Sequence, residues 1–252
     1  MRRKTILITR PAGQGAEFSR LLSAAGAEVI SFPAITIAPP RRWEPVDTAI
    51  RRINSYDWLL FTSANGVTMF FARFTARGGD MRNLKGIRIG AIGPKTSAHL
   101  QALGLKVNVF PDEYRAEALA EAIGPVKGLR ILLVRAQDAR EILPQTLRAR
   151  GAQVAVVTAY RTLKSRRLPT NLKKRLTHGG IDAVTFTSSS TVDGFMRHLT
   201  TGERRRVFRQ AKAAVIGPIT AATLRRYGIR PAIRAKPYTT EALAEAIVAY
   251  FS

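Results

Sequence analysis

The sequence contains no cysteine, only three histidines and no long apolar run. Without cysteine there can be no disulfide, thiolate nucleophile, iron–sulfur cluster or cysteine zinc site. No segment approaches the roughly 20 apolar residues that span a bilayer. The apolar run after the basic start, Ile6 to Ile8, is too short for a signal-peptide core. These absences predict a soluble globular protein of the cytoplasm.

Acidic residues are scarce. Seventeen Asp and Glu stand against 41 Lys and Arg, which gives a net charge of +24 in 252 residues. The positive electrostatic field of so basic a protein favours nucleic acid, an anionic membrane surface or a small polyanion as partner. A basic surface that serves only solubility explains the charge equally well. The basic residues form scattered clusters, such as Arg41-Arg42 and Arg204-Arg205-Arg206, and not one stripe. A nucleic-acid partner is therefore the least favoured.

The familiar cofactor and catalytic motifs are missing as well. No GxGxxG follows a strand and no GxxxxGK[ST] is present, so dinucleotide and P-loop sites have no support. His99, His178 and His198 are far apart, lack acidic partners at ligand spacing and lie on no repeated loop. We therefore predict no cofactor and no metal. Any reaction would rely on binding, conformation and at most a single proton donor.

What the sequence does contain is a duplication. Segments before residue 130 return about 125 positions later, as Ile6 to Arg10 return in residues 131–135 and Phe61-Thr62-Ser63 in residues 186–188. Residues 114–123 return as residues 238–247 with eight of ten identical. A constant offset indicates one duplicated unit and not a short-period solenoid. Two similar halves predict a cleft between them, where a ligand would bind.

Short apolar runs alternate with amphipathic helical stretches along the chain. The pattern predicts a strand over residues 5–9, a helix over 14–25 and a strand over 28–32, which is a βαβ unit. Repetition of this alternation predicts an α/β fold with parallel sheets covered on both faces. The sequence pattern leaves two domain arrangements open. The chain divides near residue 125, or the leading βαβ units exchange between the halves.

Four repeated loops follow predicted strands. In an open parallel sheet, ligands bind outside the carboxyl ends of the strands, where helix N-termini present unpaired N–H groups. Thr62-Ser63 and Thr187-Ser188 supply hydroxyls there, and the Gly-Pro loops that lead to Thr96 and Thr220 repeat the arrangement. Helix capping alone explains any single one of these residues. Together, the four loops could hold several carboxylates or phosphates.

These motifs, in their order and spacing, resemble the uroporphyrinogen-III synthase family, whose members cyclise the linear tetrapyrrole hydroxymethylbilane. The resemblance covers nearly the whole chain, through residues 6–11, 61–67, 92–94, 159–162, 182–188, 216–220 and 238–243. It implies two doubly wound, flavodoxin-like domains joined by a two-stranded linker, with the active site between them. The exchanged arrangement follows, with one domain of residues 1–36 plus 164–252 and an inserted domain of residues 40–160. It also implies a lyase of porphyrin and haem biosynthesis. We expect a monomer, because the two halves of one chain already provide the cleft.

The family's catalytic tyrosine falls on Tyr160, which the resemblance makes a proton donor to the departing hydroxyl. The alternative is an aromatic that packs the linker, since Ile35 holds the equivalent place in the first repeat. Two positions depart from the family pattern, Ala136 where glycine is common and Ser189 where proline is common. The implied substrate-binding residues are Arg10, Thr62, Ser63, Asn65, Thr96, Thr187, Ser188, Ser189, Lys212 and Thr220.

The main competing hypothesis is a protein without turnover on the same scaffold. It would be a two-domain regulatory protein that binds tetrapyrroles or other anions. Charge-driven, nonspecific nucleic-acid binding is a third hypothesis. It predicts an affinity that falls steeply with salt, but the sequence has no basic motif interleaved with aromatic residues to support it.

Overall fold

The computed structural model describes residue 1, residues 4–111, residue 113 and residues 115–252. Tyr114, which begins the last repeated segment, lies outside the described residues. Contacts divide the chain into two compact units. Unit 1 consists of Met1–Thr36 with Leu163–Ser252, and unit 2 consists of Ile37–Thr162.

Strands and helices alternate through the chain. The strands are β1 (Thr5–Ile8), β2 (Glu28–Ser31), β3 (Ile35–Ala38), β4 (Trp58–Phe61), β5 (Arg88–Ala91), β6 (Arg130–Ala136), β7 (Gln153–Lys164), β8 (Ala183–Phe186), β9 (Lys212–Val215) and β10 (Ile233–Arg234). The α-helices are α1 (Ala16–Ala24), α2 (Glu44–Arg51), α3 (Ala64–Ala76), α4 (Pro94–Gln101), α5 (Ala116–Ala122), α6 (Ile142–Ala149), α7 (Thr170–Thr177), α8 (Ser189–Met196), α9 (Thr201–Gln210), α10 (Pro218–Arg226) and α11 (Thr240–Phe251). Short 3₁₀ helices cover Ile53–Ser55 and Met81–Leu84.

The sheet of unit 1 has the strand order β10-β9-β8-β1-β2 within the described residues. All four of its ladders are parallel. Ile6 lies between Val29 on β2 and Ala183 on β8, which fixes the register of the central strand. Counted outward from β2, this is the flavodoxin-like order 2-1-3-4-5, so unit 1 is a doubly wound domain.

The sheet of unit 2 has the order β3-β7-β6-β4-β5. The ladders from β7 to β5 are parallel, and an isolated bridge from Gly90 to Val109 extends them beyond β5. Strands that hold equivalent places in the two sheets are 124 or 125 residues apart, as β8 is from β4 and β6 is from β1. The chain passes between the units within β3 and again within β7. The predicted parallel α/β fold is confirmed.

Alternate residues of each strand enter different cores. In β1, Leu7 belongs to one apolar cluster of unit 1, whereas Ile6 and Ile8 belong to another. In β4, Leu59 and Leu60 divide in the same way between the two clusters of unit 2. Successive side chains of a strand point to opposite faces, so both sheets are covered on both sides. This burial explains why the strands have continuous apolar sequences instead of alternating ones.

Gly194 in α8 packs directly against the chain that leads into β3. A Cβ atom there would lie 2.4 Å from the Ala34 carbonyl oxygen and 2.8 Å from Ile35 Cγ2. Because backbone cannot yield as a side chain does, we expect Gly194→Ala to lower the free energy of unfolding of unit 1 by about 1–3 kcal/mol. Gly202→Ala in α9 is the matched control, since nothing lies within 4 Å of its Cβ position. Denaturant unfolding of both variants checks this, and equal stabilities would contradict it.

No helix in the described part of the chain is long and apolar enough to cross a membrane. Among the same residues, no group of three or more His, Cys, Asp and Glu is placed to hold a metal ion.

Candidate active site

The strand order locates the ligand-binding edge of each sheet. In doubly wound sheets, ligands bind outside the carboxyl ends of the strands, at the point where the strand order reverses. That point lies between β1 and β8 in unit 1 and between β4 and β6 in unit 2. The loops after these strands contain most of the predicted substrate-binding residues.

In unit 2, Ser63 follows β4 and caps α3. Its Oγ accepts a hydrogen bond from the Gly66 backbone N–H at 3.1 Å. The same oxygen lies 3.0 Å from the phenol oxygen of Tyr160, within hydrogen-bond distance. Asn65 in the first turn of α3 also hydrogen-bonds the phenol. The structure therefore brings together three of the predicted site residues, Ser63, Asn65 and Tyr160.

Tyr160 lies in β7, at an irregularity of its ladder with β6 where the register shifts between Arg135 and Ala136. Its side chain is only 7% exposed. Burial raises the pKa of the phenol above its ordinary value, and the hydrogen bonds from Ser63 and Asn65 oppose this shift. The phenol is therefore protonated at neutral pH and can donate a proton. Tyr160 also belongs to the apolar core of unit 2, so it packs as well.

A cavity of about 190 Å³ lies beside Tyr160. Thr62, which follows β4, and Arg135, in β6, line it together with Tyr160 and Arg140. Neither arginine was predicted from the sequence. The sequence does indicate Arg135 indirectly, because it lies 125 residues after Arg10 and is its counterpart in the second repeat. Applying the duplication to every candidate residue would have found it.

In unit 1, the serines after β8 are engaged in local structure. Ser188 caps α8 by accepting from the Thr191 N–H, and Thr191 Oγ1 accepts from the Ser188 N–H in turn. Ser189 Oγ accepts a hydrogen bond from Thr223 Oγ1 at 2.7 Å. Thr187 is half-buried directly after the strand. These hydroxyls lie at the predicted edge, and capping is the role that the contacts give Ser188.

Arg10 follows β1, the other strand at the switch point of unit 1. Its side chain is buried, and Nε donates to the Gln14 carbonyl at 2.8 Å. Burial lowers the pKa of the guanidinium from its ordinary value, while the charge of Glu241 opposes that shift. The preceding residue, Thr9, donates from Oγ1 to the Thr185 carbonyl at 2.6 Å, which ties β1 to β8.

Thr96 and Thr220 are the third residues of α4 and α10. Both side chains are buried, each 4% exposed. The helices begin at glycines with extended backbone and have proline at the first helical position, as the Gly-Pro pattern predicts. These threonines therefore lie at the expected edge but present little hydroxyl surface there.

Lys212 requires a correction. It is the first residue of β9, so it lies at the amino edge of the unit 1 sheet, where its backbone N–H donates to the Asp182 carbonyl. The hydroxyl loops follow the last residues of the strands, at the opposite edge. A four-residue strand separates the two edges by about 10 Å at roughly 3.3 Å per residue. Lys212 therefore does not lie beside the hydroxyl loops of unit 1, although the resemblance groups it with them as a substrate-binding residue.

Comparison with known proteins gives the chain its family. The family model described as uroporphyrinogen-III synthase HemD matches residues 16–245. A uroporphyrinogen-III synthase of Synechococcus elongatus is 36% identical over 97% of this chain and 94% of its own length. A uroporphyrinogen-III synthase of Chlorobaculum parvum is 29% identical over 97% of this chain and 99% of its own length.

Two solved structures share the fold. A mutant uroporphyrinogen III synthase from the extremely thermophilic bacterium Thermus thermophilus superposes with a TM-score of 0.74 at 19% identity, over 99% of this chain and 100% of that one. The uroporphyrinogen-III synthetase from Helicobacter pylori 26695 superposes with a TM-score of 0.65 at 20% sequence identity, again over 99% of this chain and 100% of that one. The family match spans most of the sequence, and the resemblance seen in the motifs is confirmed. This chain belongs to the uroporphyrinogen-III synthase family.

Proposed function

We propose that this protein converts hydroxymethylbilane to uroporphyrinogen III, with inversion of ring D and loss of water, and that Tyr160 donates the proton to the departing hydroxyl. The observation that supports this role is the buried, protonated phenol, held by Ser63 and Asn65 at the switch point of unit 2. The proposal includes a cytoplasmic enzyme that acts as a monomer.

The reaction needs little conventional catalytic machinery. The carbon–oxygen bond of the hydroxymethyl group breaks, and the hydroxyl leaves as water with a proton from the acid. The neighbouring pyrrole nitrogen stabilises the cation that remains. Ring D bonds to the cationic carbon through the α-carbon that carries its methylene bridge to ring C. That bridge bond breaks and re-forms at the other α-carbon of ring D, which inverts the ring, and the proton lost there restores the phenol. Tyr160 is thus required once per turnover, as a general acid, a role typically worth about 10²–10⁴ in rate.

The more demanding task is to hold a flexible substrate so that ring D attacks in the inverted orientation. Fixing reacting atoms in one geometry can lower a barrier by about 7–11 kcal/mol. We propose that the substrate's carboxylates are held by hydroxyl and N–H groups at the carboxyl edge of each sheet. The contributing residues would be Arg10, Thr62, Ser63, Asn65, Thr96, Thr187, Ser188, Ser189 and Thr220. The net charge of +24 would attract so anionic a substrate.

The test is to supply the protein with fresh hydroxymethylbilane, oxidise the products and separate the porphyrin isomers by chromatography. We expect mainly the type III isomer, because direct closure without an enzyme gives type I. A heat-denatured sample of the same protein is the control for spontaneous closure. Type I alone from the native protein would contradict the proposed catalysis and favour the binding protein without turnover.

A further inference from the structure

The cavity beside Tyr160 has the size of a subsite and not of a whole binding site. Its volume of about 190 Å³ exceeds the roughly 30 Å³ that one water occupies. It is smaller than the roughly 300–1,000 Å³ of pockets that hold a complete small ligand. The cavity also lies at the switch point of the unit 2 sheet, between Thr62 after β4 and Arg135 in β6. It can therefore take one arm of a larger molecule that lies across the sheet edge.

Arg135 gives this cavity its chemistry. The residue is 8% exposed, although it is charged, and such residues are rarely buried without partners. Its Nη1 donates to the Arg140 carbonyl at 3.2 Å, and its Nη2 contacts the Glu141 carboxylate. The Nε atom is fully buried and has no hydrogen-bond partner among the described residues. A buried donor without a partner is costly, which points to an acceptor that arrives with a ligand.

We propose that the cavity is a carboxylate subsite, in which Arg135 binds one acidic side arm of the tetrapyrrole substrate. The arm's carboxylate accepts from Nε and Nη2, the two donors that form one edge of the guanidinium and match a carboxylate in bidentate geometry. Its methylene groups contact the apolar lining, which includes Leu133 and Leu143. The subsite deepens the proposed function and rests on it, because it places the substrate's arm next to Tyr160.

Glu141 is the competitor of that arm. Its carboxylate occupies Nη2 of Arg135, yet its side chain is 54% exposed while that of Arg135 is 10% exposed. An exposed glutamate at the start of α6 can move into water, whereas the buried arginine cannot follow it. Arg140 also lines the cavity, and its own side chain has no ion pair among the described residues. The positive charge of Arg140 therefore favours the arrival of the substrate's carboxylate when this replaces the Glu141 carboxylate at Arg135.

The competition predicts opposite effects for two variants. Arg135→Gln removes the donor pair, so we expect KM for hydroxymethylbilane to rise about tenfold to a hundredfold. Glu141→Gln removes the competing charge, so we expect KM to fall about twofold to fivefold. In both variants we expect kcat to change less than about threefold, because neither residue donates the proton. The measurement is steady-state formation of the type III isomer across a range of substrate concentrations.

Two control variants distinguish binding at the subsite from the general electrostatic attraction between the basic protein and its anionic substrate. Arg82→Gln and Glu44→Gln remove the same charges from exposed sites in unit 2 and should leave KM within about twofold. If Arg135→Gln does not fold, Arg135→Lys keeps the charge, loses the bidentate geometry and should still raise KM. An unchanged KM in a folded Arg135 variant, or a rise in KM for Glu141→Gln, would overturn the subsite.

Binding of uroporphyrin III, followed by quenching of tryptophan fluorescence, distinguishes failure of the subsite from failure of the proposed function. If the unsubstituted protein makes only type I isomer, but Arg135→Gln weakens uroporphyrin binding and Glu141→Gln strengthens it, the subsite stands and the catalytic proposal fails. If type III forms normally and neither variant changes binding, the subsite is wrong and the catalytic proposal stands.

Discussion

Replacing Tyr160 with phenylalanine should lower kcat for type III formation by about 10²–10⁴, while KM changes less than about threefold. Phenylalanine keeps the ring that packs in the core of unit 2 and removes only the proton donor. A group that acts only in the transition state lowers kcat without changing substrate binding. The two constants are measured from initial rates of isomer III formation, with product ratios determined at each substrate concentration.

The neighbouring serine provides the control. Ser63→Ala removes one hydrogen-bond partner of the phenol and also the cap of α3, which should lower the free energy of unfolding by about 1 kcal/mol. It leaves the proton donor in place, so its kcat should fall much less than that of Tyr160→Phe. If Tyr160→Phe retains kcat within about twofold, the phenol is not the acid and packing is its remaining role.

The pH dependence of the rate tests the same residue independently. Burial raises the pKa of Tyr160, so the phenol carries its proton at every pH below the ordinary tyrosine value of about 10. The rate should stay level through neutral pH with respect to this group. It should then fall as the pH rises through the elevated pKa, because the proton donor is lost. Tyr160→Phe should lack that alkaline decline, since its residual rate does not depend on the phenol.

The elements that the sequence predicted correctly are those that local sequence patterns determine. The predicted elements of the first βαβ unit, residues 5–9, 14–25 and 28–32, match β1, α1 and β2 to within two residues at each end. Apolar periodicity and turn residues act over a few positions, so they are visible in the sequence. The positions of Ser63 and Ser188 as helix caps follow from the same local chemistry.

Contacts between residues far apart in the sequence could not be predicted from local sequence patterns. Ser63 and Tyr160 are 97 residues apart, and their approach depends on β6 lying between the strands that carry them. The burial of Arg135 likewise depends on α6 packing over the sheet. Lys212 is a different case, because the resemblance grouped it with the substrate-binding residues, whereas its place as the first residue of β9 puts it at the amino edge of the sheet.

Whether a fragment of the chain folds alone depends on which paired strands it contains. We expect a fragment of residues 37–162 to fold cooperatively and a fragment of residues 1–125, the first repeat, not to. Residues 37–162 contain β4, β5, β6 and all but the last two residues of β7, with both core clusters of unit 2. The fragment is also of ordinary domain size. Circular dichroism, thermal melting and amide NMR dispersion of the two fragments measure the difference.

The reason lies in the partners of the central strands. β1 pairs with β2 and with β8, and β8 lies beyond residue 125. β4 pairs with β5 and with β6, and β6 also lies beyond residue 125. The first repeat therefore contains two strand pairs, each without the neighbour that would bury its other edge, and isolated two-stranded pieces are marginally stable in water at best.

The opposite result, a folded 1–125 and an unfolded 37–162, would mean that each repeat folds by itself and that the observed pairing arises only in the full chain. The exchange of leading strands has a functional consequence. Each sheet then takes β-strands from both repeats, so its switch point places a loop from one repeat beside a loop from the other. In unit 2 that neighbour relation joins Ser63 of the first repeat to Tyr160 of the second. A division near residue 125 would separate this pair, which is why the fragment experiment also tests the origin of the proposed active site.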